Sequence, residues 1–217
     1  MSRRSKELQS AARIAVVGAL VVIASFVASK ASRDAVLLSN FDIDRLPLFV
    51  GISAVLSLPI ALIAGRLFLR FSPDRLLPVL NLVSALMLVG EWWLAAREPR
   101  LTAVIVFLHL GSFGAVLVSG FWSIINERFD VRTAKRYVGR IGVGATLGGI
   151  LGGVIAERTA VYLEPNMILL VLAVLQAVCA FVLRLLASHE PRRQPAPEAL
   201  APLAALRTIR QTPLLRN

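Results

Sequence analysis

The sequence is short of nearly everything a soluble enzyme works with. It has one cysteine, Cys179, so neither a disulfide nor a cysteine metal cluster can form within the chain. Two histidines in 217 residues, with no paired Asp/Glu inside any apolar run, argue against a hydrolytic metal centre and against an enzyme. Charged residues make up 17% of the chain, against about 25% in an average soluble protein. The glycine-rich segment 139–153 has no Lys-Ser/Thr to close it, which disfavours a phosphate-gripping loop. Nothing in the residues calls for a metal or a cofactor.

What is abundant is apolar: 57% of the residues are hydrophobic and the mean hydropathy is +0.73. These residues gather into six uncharged or nearly uncharged runs, 14–29, 46–65, 76–90, 101–126, 141–156 and 165–183. About 20 residues cross a bilayer core, fewer where flanking groups snorkel. The second, fourth and sixth runs suffice alone, whereas the first, third and fifth must recruit polar neighbours. The reading is an all-α, polytopic membrane protein, with spans at about 14–39, 46–65, 76–96, 101–126, 138–156 and 165–187. Residues 1–13 form a basic N-terminus, 14–187 the membrane unit, and 188–217 a basic Pro/Ala-rich linker. Arg3, Arg4, Lys6 and Arg13 before the first run also fit a secretory signal peptide; five further spans favour a retained helix.

A net charge of +11 would point to nucleic acid in a soluble protein. Here its distribution matters more. With the links assigned alternately to two sides, 18 of the 24 Lys/Arg fall on the side of the N-terminus and 6 on the other, while the acids divide evenly. The positive-inside rule then puts both termini in the cytoplasm, and the expected location is the inner (plasma) membrane of a bacterium. The lipid bilayer is the expected partner and nucleic acid is not.

Residues 121–153 organise the chain. An apolar run ends in Phe121-Trp122, five Lys/Arg follow, and then seven glycines lie between Gly139 and Gly153. Gly144/Gly148, Gly148/Gly152 and Gly149/Gly153 are each four apart, which stacks glycines on one helix face and lets another helix approach backbone to backbone. The segment reads as two membrane helices joined by a basic inner loop at 127–140.

Ionisable residues within or beside the spans are the candidate site residues, because charge inside a membrane is costly and tends to mark a pathway. Lys30, Arg33 and Asp34 follow the first run. On a continued helix they share a face, and Lys30 can pair with Asp34 four residues on. They read equally as a solvated helix end. His109 is the single ionisable group in the fourth run; it is either a neutral imidazole bonded to a neighbouring helix or a cavity-facing, substrate- or proton-linked residue. Glu91-Trp92-Trp93 belongs at the outer interface, with a cavity as the other place for Glu91. Lys135, Arg136 and Arg140 can meet a substrate or a latch acid at the inner mouth.

Two resemblances follow from these residues. Gly65-Arg66 and Asp74-Arg75 resemble the loop between the second and third helices of major facilitator transporters, where such charges latch two halves together. Phe121-Trp122, Asn126, Ala134-Lys135-Arg136 and Gly142-x-Gly144-Ala145 resemble the link between the fourth and fifth helices of bacterial and plastid ATP/ADP translocases. Arg33-Asp34 is similar to their first-helix Arg-Asp-Thr-Lys-Asp element. Val36 stands where the translocases carry lysine, and His109-Leu110 occupies the neighbourhood of their fourth-helix glutamate, which brings this chain nearer to looser bacterial relatives.

The resemblance implies a major-facilitator-like half with two inverted three-helix repeats, the N-terminal six helices of twelve. It implies secondary transport of a nucleotide or another anionic phosphorylated metabolite. Substrate contacts would fall at Lys30, Arg33, Asp34, His109, Asn126, Lys135 and Arg136, and a cytoplasmic gate at Gly65, Arg66, Asp74, Arg75, Glu127 and Arg140. A second six-helix half, either a further part of the protein or a homodimer mate, would dock along the fifth-helix glycines 144, 148, 149, 152 and 153. The other function class open to this sequence is a non-transporting membrane sensor or assembly protein on the same scaffold.

Overall fold

The computed structural model describes residues 3–129, 131–164 and 166–188, with side chains from residue 9 and excepting 130–136 and 165. Six α-helices account for nearly all of them: α1 Arg3–Leu38, α2 Leu46–Arg70, α3 Pro73–Ala95, α4 Pro99–Arg128, α5 Val131–Tyr162 and α6 Met167–Ser188. A single 3-10 turn, Ile43–Arg45, leads into α2. All six are long and apolar enough to cross a membrane.

Local chemistry sets the boundaries. Proline stands at the start of α2, α3 and α4, where its missing N–H costs nothing and its fixed φ suits a first turn. Ser72 precedes α3 in extended conformation, and its carbonyl accepts from the N–H groups of Arg75 and Leu76. Pro59 and Pro78 both lie inside continuous helices. At 36 and 32 residues, α1 and α5 are about 54 and 48 Å long, well beyond a hydrocarbon core of about 30 Å.

One boundary departs from the sequence reading. The inner loop expected over 127–140 is largely helical instead, because α4 runs to Arg128 and α5 already begins at Val131. Residues 131–138 contain neither glycine nor proline, so nothing in them stops the helix from starting early. The basic residues of this stretch therefore belong to the first turns of a helix. The candidates Lys135 and Arg136 lie on that helix, with side chains outside the described residues.

Helix α1 is the centre of the bundle. It packs against α5, α4 and α6; α3 packs against α6 and α4; α2 packs against α4; and α5–α6 and α2–α3 touch little. Alanine dominates the buried face of α1, at Ala12, Ala15, Ala19, Ala24 and Ala28, which keeps neighbouring axes close. Phe121, Leu77 and Leu183 fill the arginine-rich end of the core, and Leu88, Val106 and Leu172 the opposite end. By contrast α2 buries only Phe49, Ser53 and Ala64 among its 25 residues, leaving an apolar surface that suits lipid or another protein.

The glycines of α5 explain its seat on α1. A Cβ on Gly144 would stand 2.6 Å from the Val16 carbonyl oxygen, and on Gly148 or Gly152 it would collide with the carbonyls of Leu20 and Ala24. Both series repeat every four residues, so one backbone ridge lies along the other. This corrects the expectation that the glycine face is free for a second half: its tightest positions are taken up inside the bundle. Gly149 makes only an ordinary contact with Ile23, and Gly153 faces open space.

Candidate functional site

Helix α4 has two polar faces. Residues 107 and 111 lie on one; residue 109, about 200° around the axis from each, lies on the other.

On the first face, Arg33 of α1 lies over the Phe107 ring, its guanidinium carbon 4.7 Å from the ring centroid. A Cβ on Gly111 would meet Arg33 Nη1 at 2.6 Å and would also collide with Ser53 Oγ. Glycine at 111 therefore creates the space in which α1, α2 and α4 bring Arg33 and Ser53 together. Arg33 Nε donates to Asp34 Oδ1 at 3.1 Å, and the two side chains remain 18% and 39% exposed. The structure differs here from the sequence reading, which paired Lys30 with Asp34. The neighbouring Arg33 takes that carboxylate, and Lys30 stays exposed one turn earlier.

On the second face, His109 is held away from that cluster. Its Nδ1 lies 2.8 Å from Glu91 Oε1 and its Nε2 3.0 Å from Ser84 Oγ, both on α3. The His109 and Glu91 side chains are 2% and 5% exposed. The structure thus does not bring His109 to Lys30 and Arg33. Glu91 is buried beside it rather than standing at an interface. Ser84 carried no signal of its own in the sequence, although Asn81, Ser84, Leu88 and Glu91 share the buried α3 face at helical spacing.

Between these faces, a small cavity of about 20 Å³ sits where α1, α3, α4 and α6 meet, with Ser25, Ser29, Asn81 and Gln176 in its wall. That is room for about one water molecule. Ser29 Oγ and Gln176 Oε1 are buried and find no protein partner among the described residues, while Ser25 Oγ lies beside the Cys179 thiol. Cys179, also in the wall, donates its thiol to the Val21 carbonyl at 3.6 Å.

At the arginine-rich end, Asp74 at the start of α3 lies within electrostatic reach of Glu127 and Arg128 at the end of α4. Asp74 Oδ1 and the Nε and Nη2 atoms of Arg128 are buried without a hydrogen-bond partner among the described residues. Arg128 joins this group although the sequence singled out only Glu127 and Asp74. The other gate candidates, Gly65, Arg66 and Arg75, are exposed, as is Asn126. Arg140 reaches toward the Tyr137 ring, 5.8 Å from its centroid, beside an open groove of about 220 Å³ that Arg13 also lines. Among the described residues, no group of three or more His, Cys, Asp or Glu could hold a metal ion.

The class these features define is an integral membrane protein built as an all-α bundle of six apolar helices. Comparison with protein-family models, curated proteins and solved structures returns no match. The likeness to ATP/ADP translocases therefore rests on the residues of the sequence alone.

Proposed function

We propose that the chain is one six-helix half of a major-facilitator-like secondary transporter that moves an anionic phosphorylated metabolite, a nucleotide foremost. The observation that carries the reading is Arg33, a cation on a membrane-length helix, for which Gly111 leaves room beside Ser53 and Phe107. Asp34 pairs with the guanidinium through Nε, and a phosphate with its paired oxygens would compete for the same fork of donors. Lys30, exposed one turn away, adds to the local positive charge.

The helix pairings support the inverted-repeat architecture. Exchanging α1 with α4, α2 with α5 and α3 with α6 turns α1–α5 into α4–α2 and α1–α6 into α4–α3, and leaves α1–α4 and α3–α6 as themselves. The set of pairings is unchanged by the exchange, as expected of two three-helix repeats in opposite orientations. The space of about 20 Å³ among α1, α3, α4 and α6 is too small for a metabolite, which favours a passage between this unit and a second six-helix half. The charge bias of the links supports cytoplasmic termini and an arginine-rich end on the inner side.

The test is uptake of radiolabelled ADP, with inorganic phosphate in parallel, into liposomes holding the full gene product. Exchange is expected, with Arg33→Ala lowering it about tenfold or more and Arg33→Lys less. Equal uptake by wild type and Arg33→Ala would remove Arg33 from the pathway. The small size of that space also suits the second reading, a non-transporting membrane scaffold. Absence of uptake of either anion, with the protein folded, would favour it.

A further inference from the structure

The pair Glu91–His109 is not needed by the anion site, and it is an expensive way to join two helices. Two ionisable side chains almost fully withdrawn from solvent gain little over well-packed apolar residues of similar size. The pair is also incomplete as a staple. Glu91 Oε2 is buried and has no hydrogen-bond partner among the described residues, an omission that carries a desolvation cost. What an amide or apolar pair cannot supply is a change of proton occupancy.

We propose that Glu91, His109 and Ser84 form a proton-binding site inside the helix bundle. In the loaded form, the imidazole carries protons on both nitrogens, Nδ1–H donating to Glu91 Oε1 and Nε2–H to Ser84 Oγ. In the unloaded form, the Nε2 proton has passed to water, Nδ1–H still donates to Glu91, and the Ser84 hydroxyl turns to donate to Nε2. Each form satisfies both ring nitrogens over the same 2.8 and 3.0 Å separations, so loading needs only rotation of one hydroxyl. None of His109, Glu91 and Ser84 lines the small cavity itself, so the route for that water would run past Phe113. The Phe113 ring, edge-on to His109 at a centroid distance of 5.3 Å, also lines the one-water cavity.

The electrostatic surroundings leave the pair to itself. Helix α3 has no other charge between Arg75 and Arg97, α4 none between Arg100 and Glu127, α6 none between Met167 and Arg184, and α2 none between Leu46 and Gly65. Helix α1 contributes Lys30, Arg33 and Asp34, of which Arg33 meets α4 at Phe107 and Gly111, on the face away from His109. Coupling of this proton to substrate movement rests on the transporter reading; the site itself does not.

The test therefore uses no substrate. The one other histidine, His189, lies outside the described residues, and His189→Asn leaves His109 as the single imidazole. Nitrogen NMR of that full chain in lipid vesicles, from about pH 5 to 9, should show His109 passing between singly and doubly protonated forms. Glu91→Gln should displace the transition, and Ser84→Ala should preserve it while altering the Nε2 signal. One unchanging protonation form across the range would overturn the proposal, as would a transition indifferent to Glu91→Gln. Should Glu91→Gln fail to fold, the wild-type and Ser84→Ala titrations decide the matter. Loss of ADP exchange with the titration intact would fault the transporter reading and leave the proton site standing.

Discussion

Two helix contacts in this bundle work by opposite means. Helices α1 and α5 meet through the absence of side chains: Gly144, Gly148 and Gly152 let their helix rest on the carbonyls of Val16, Leu20 and Ala24. Helices α3 and α4 meet around a polar insertion, His109 between Glu91 and Ser84. In lipid, where helices gain no hydrophobic drive by associating, close packing and interhelical hydrogen bonds are the two means available. The first fails when anything is added. The second fails when one member is taken away, because the remaining group is then buried without a partner.

That contrast can be broken experimentally, and the largest effect belongs to the glycine contact. Gly148→Leu or Gly152→Leu places a side chain where backbone already lies, and backbone cannot turn aside as a rotamer can. Destabilisation at or above the upper end of the usual range of about 1–3 kcal/mol for overpacking is expected, seen as loss of monodisperse protein in detergent. Retention of wild-type thermal stability would show that α5 is not seated on α1 in this way.

The polar contact comes next. Glu91→Leu alone strands His109 and should cost about 3–5 kcal/mol. The double change Glu91→Leu with His109→Leu should recover most of that loss, because no orphaned ionisable group remains. A stability cycle over the two singles and the double checks this; additive losses would mean that the two residues do not act together.

A smaller effect is expected at Gly111→Ala, whose Cβ must displace Arg33 and Ser53, both able to move as side chains. Stability should fall by about 1 kcal/mol or less while anion exchange falls more, because Arg33 loses its position. The smallest effect is at Gly153→Ala. Nothing lies within 4 Å of its added Cβ, and the change should stay within about 0.5 kcal/mol of wild type.

The sequence carried the fold class well, for a physical reason. Apolar runs of membrane length, set apart by charge, satisfy their backbone hydrogen bonds in lipid only as helices, and all six became helices. Link lengths were less legible, because a charged stretch without glycine or proline, such as that after Phe129, can continue a helix beyond the membrane. The glycines declared a close contact but not the partner. Spacing of four specifies a face, and only the three-dimensional arrangement shows that α1 fills it. His109 was legible as an unusual residue, whereas its partners were not. Glu91 sits beside two tryptophans that mimic an interface signal, and Ser84 is one of many serines in apolar surroundings. Arg33 needed Gly111, far along the chain on α4, before its place in the bundle could be understood.

The glycine seat of α5 on α1 decides whether that face is internal or available to a second half. Its most direct test is a paired-cysteine experiment in the Cys179→Ala background, with Ile23→Cys and Gly149→Cys introduced together. The Gly149 Cβ position lies 4.0 Å from Ile23 Cγ2, so the two positions face each other in van der Waals contact across the α1–α5 seam. Mild oxidation in native membranes should join α1 to α5 within one chain. Absence of that bond, with Gly149→Cys alone linking two chains instead, would contradict the account and return the glycine face to an interface between units.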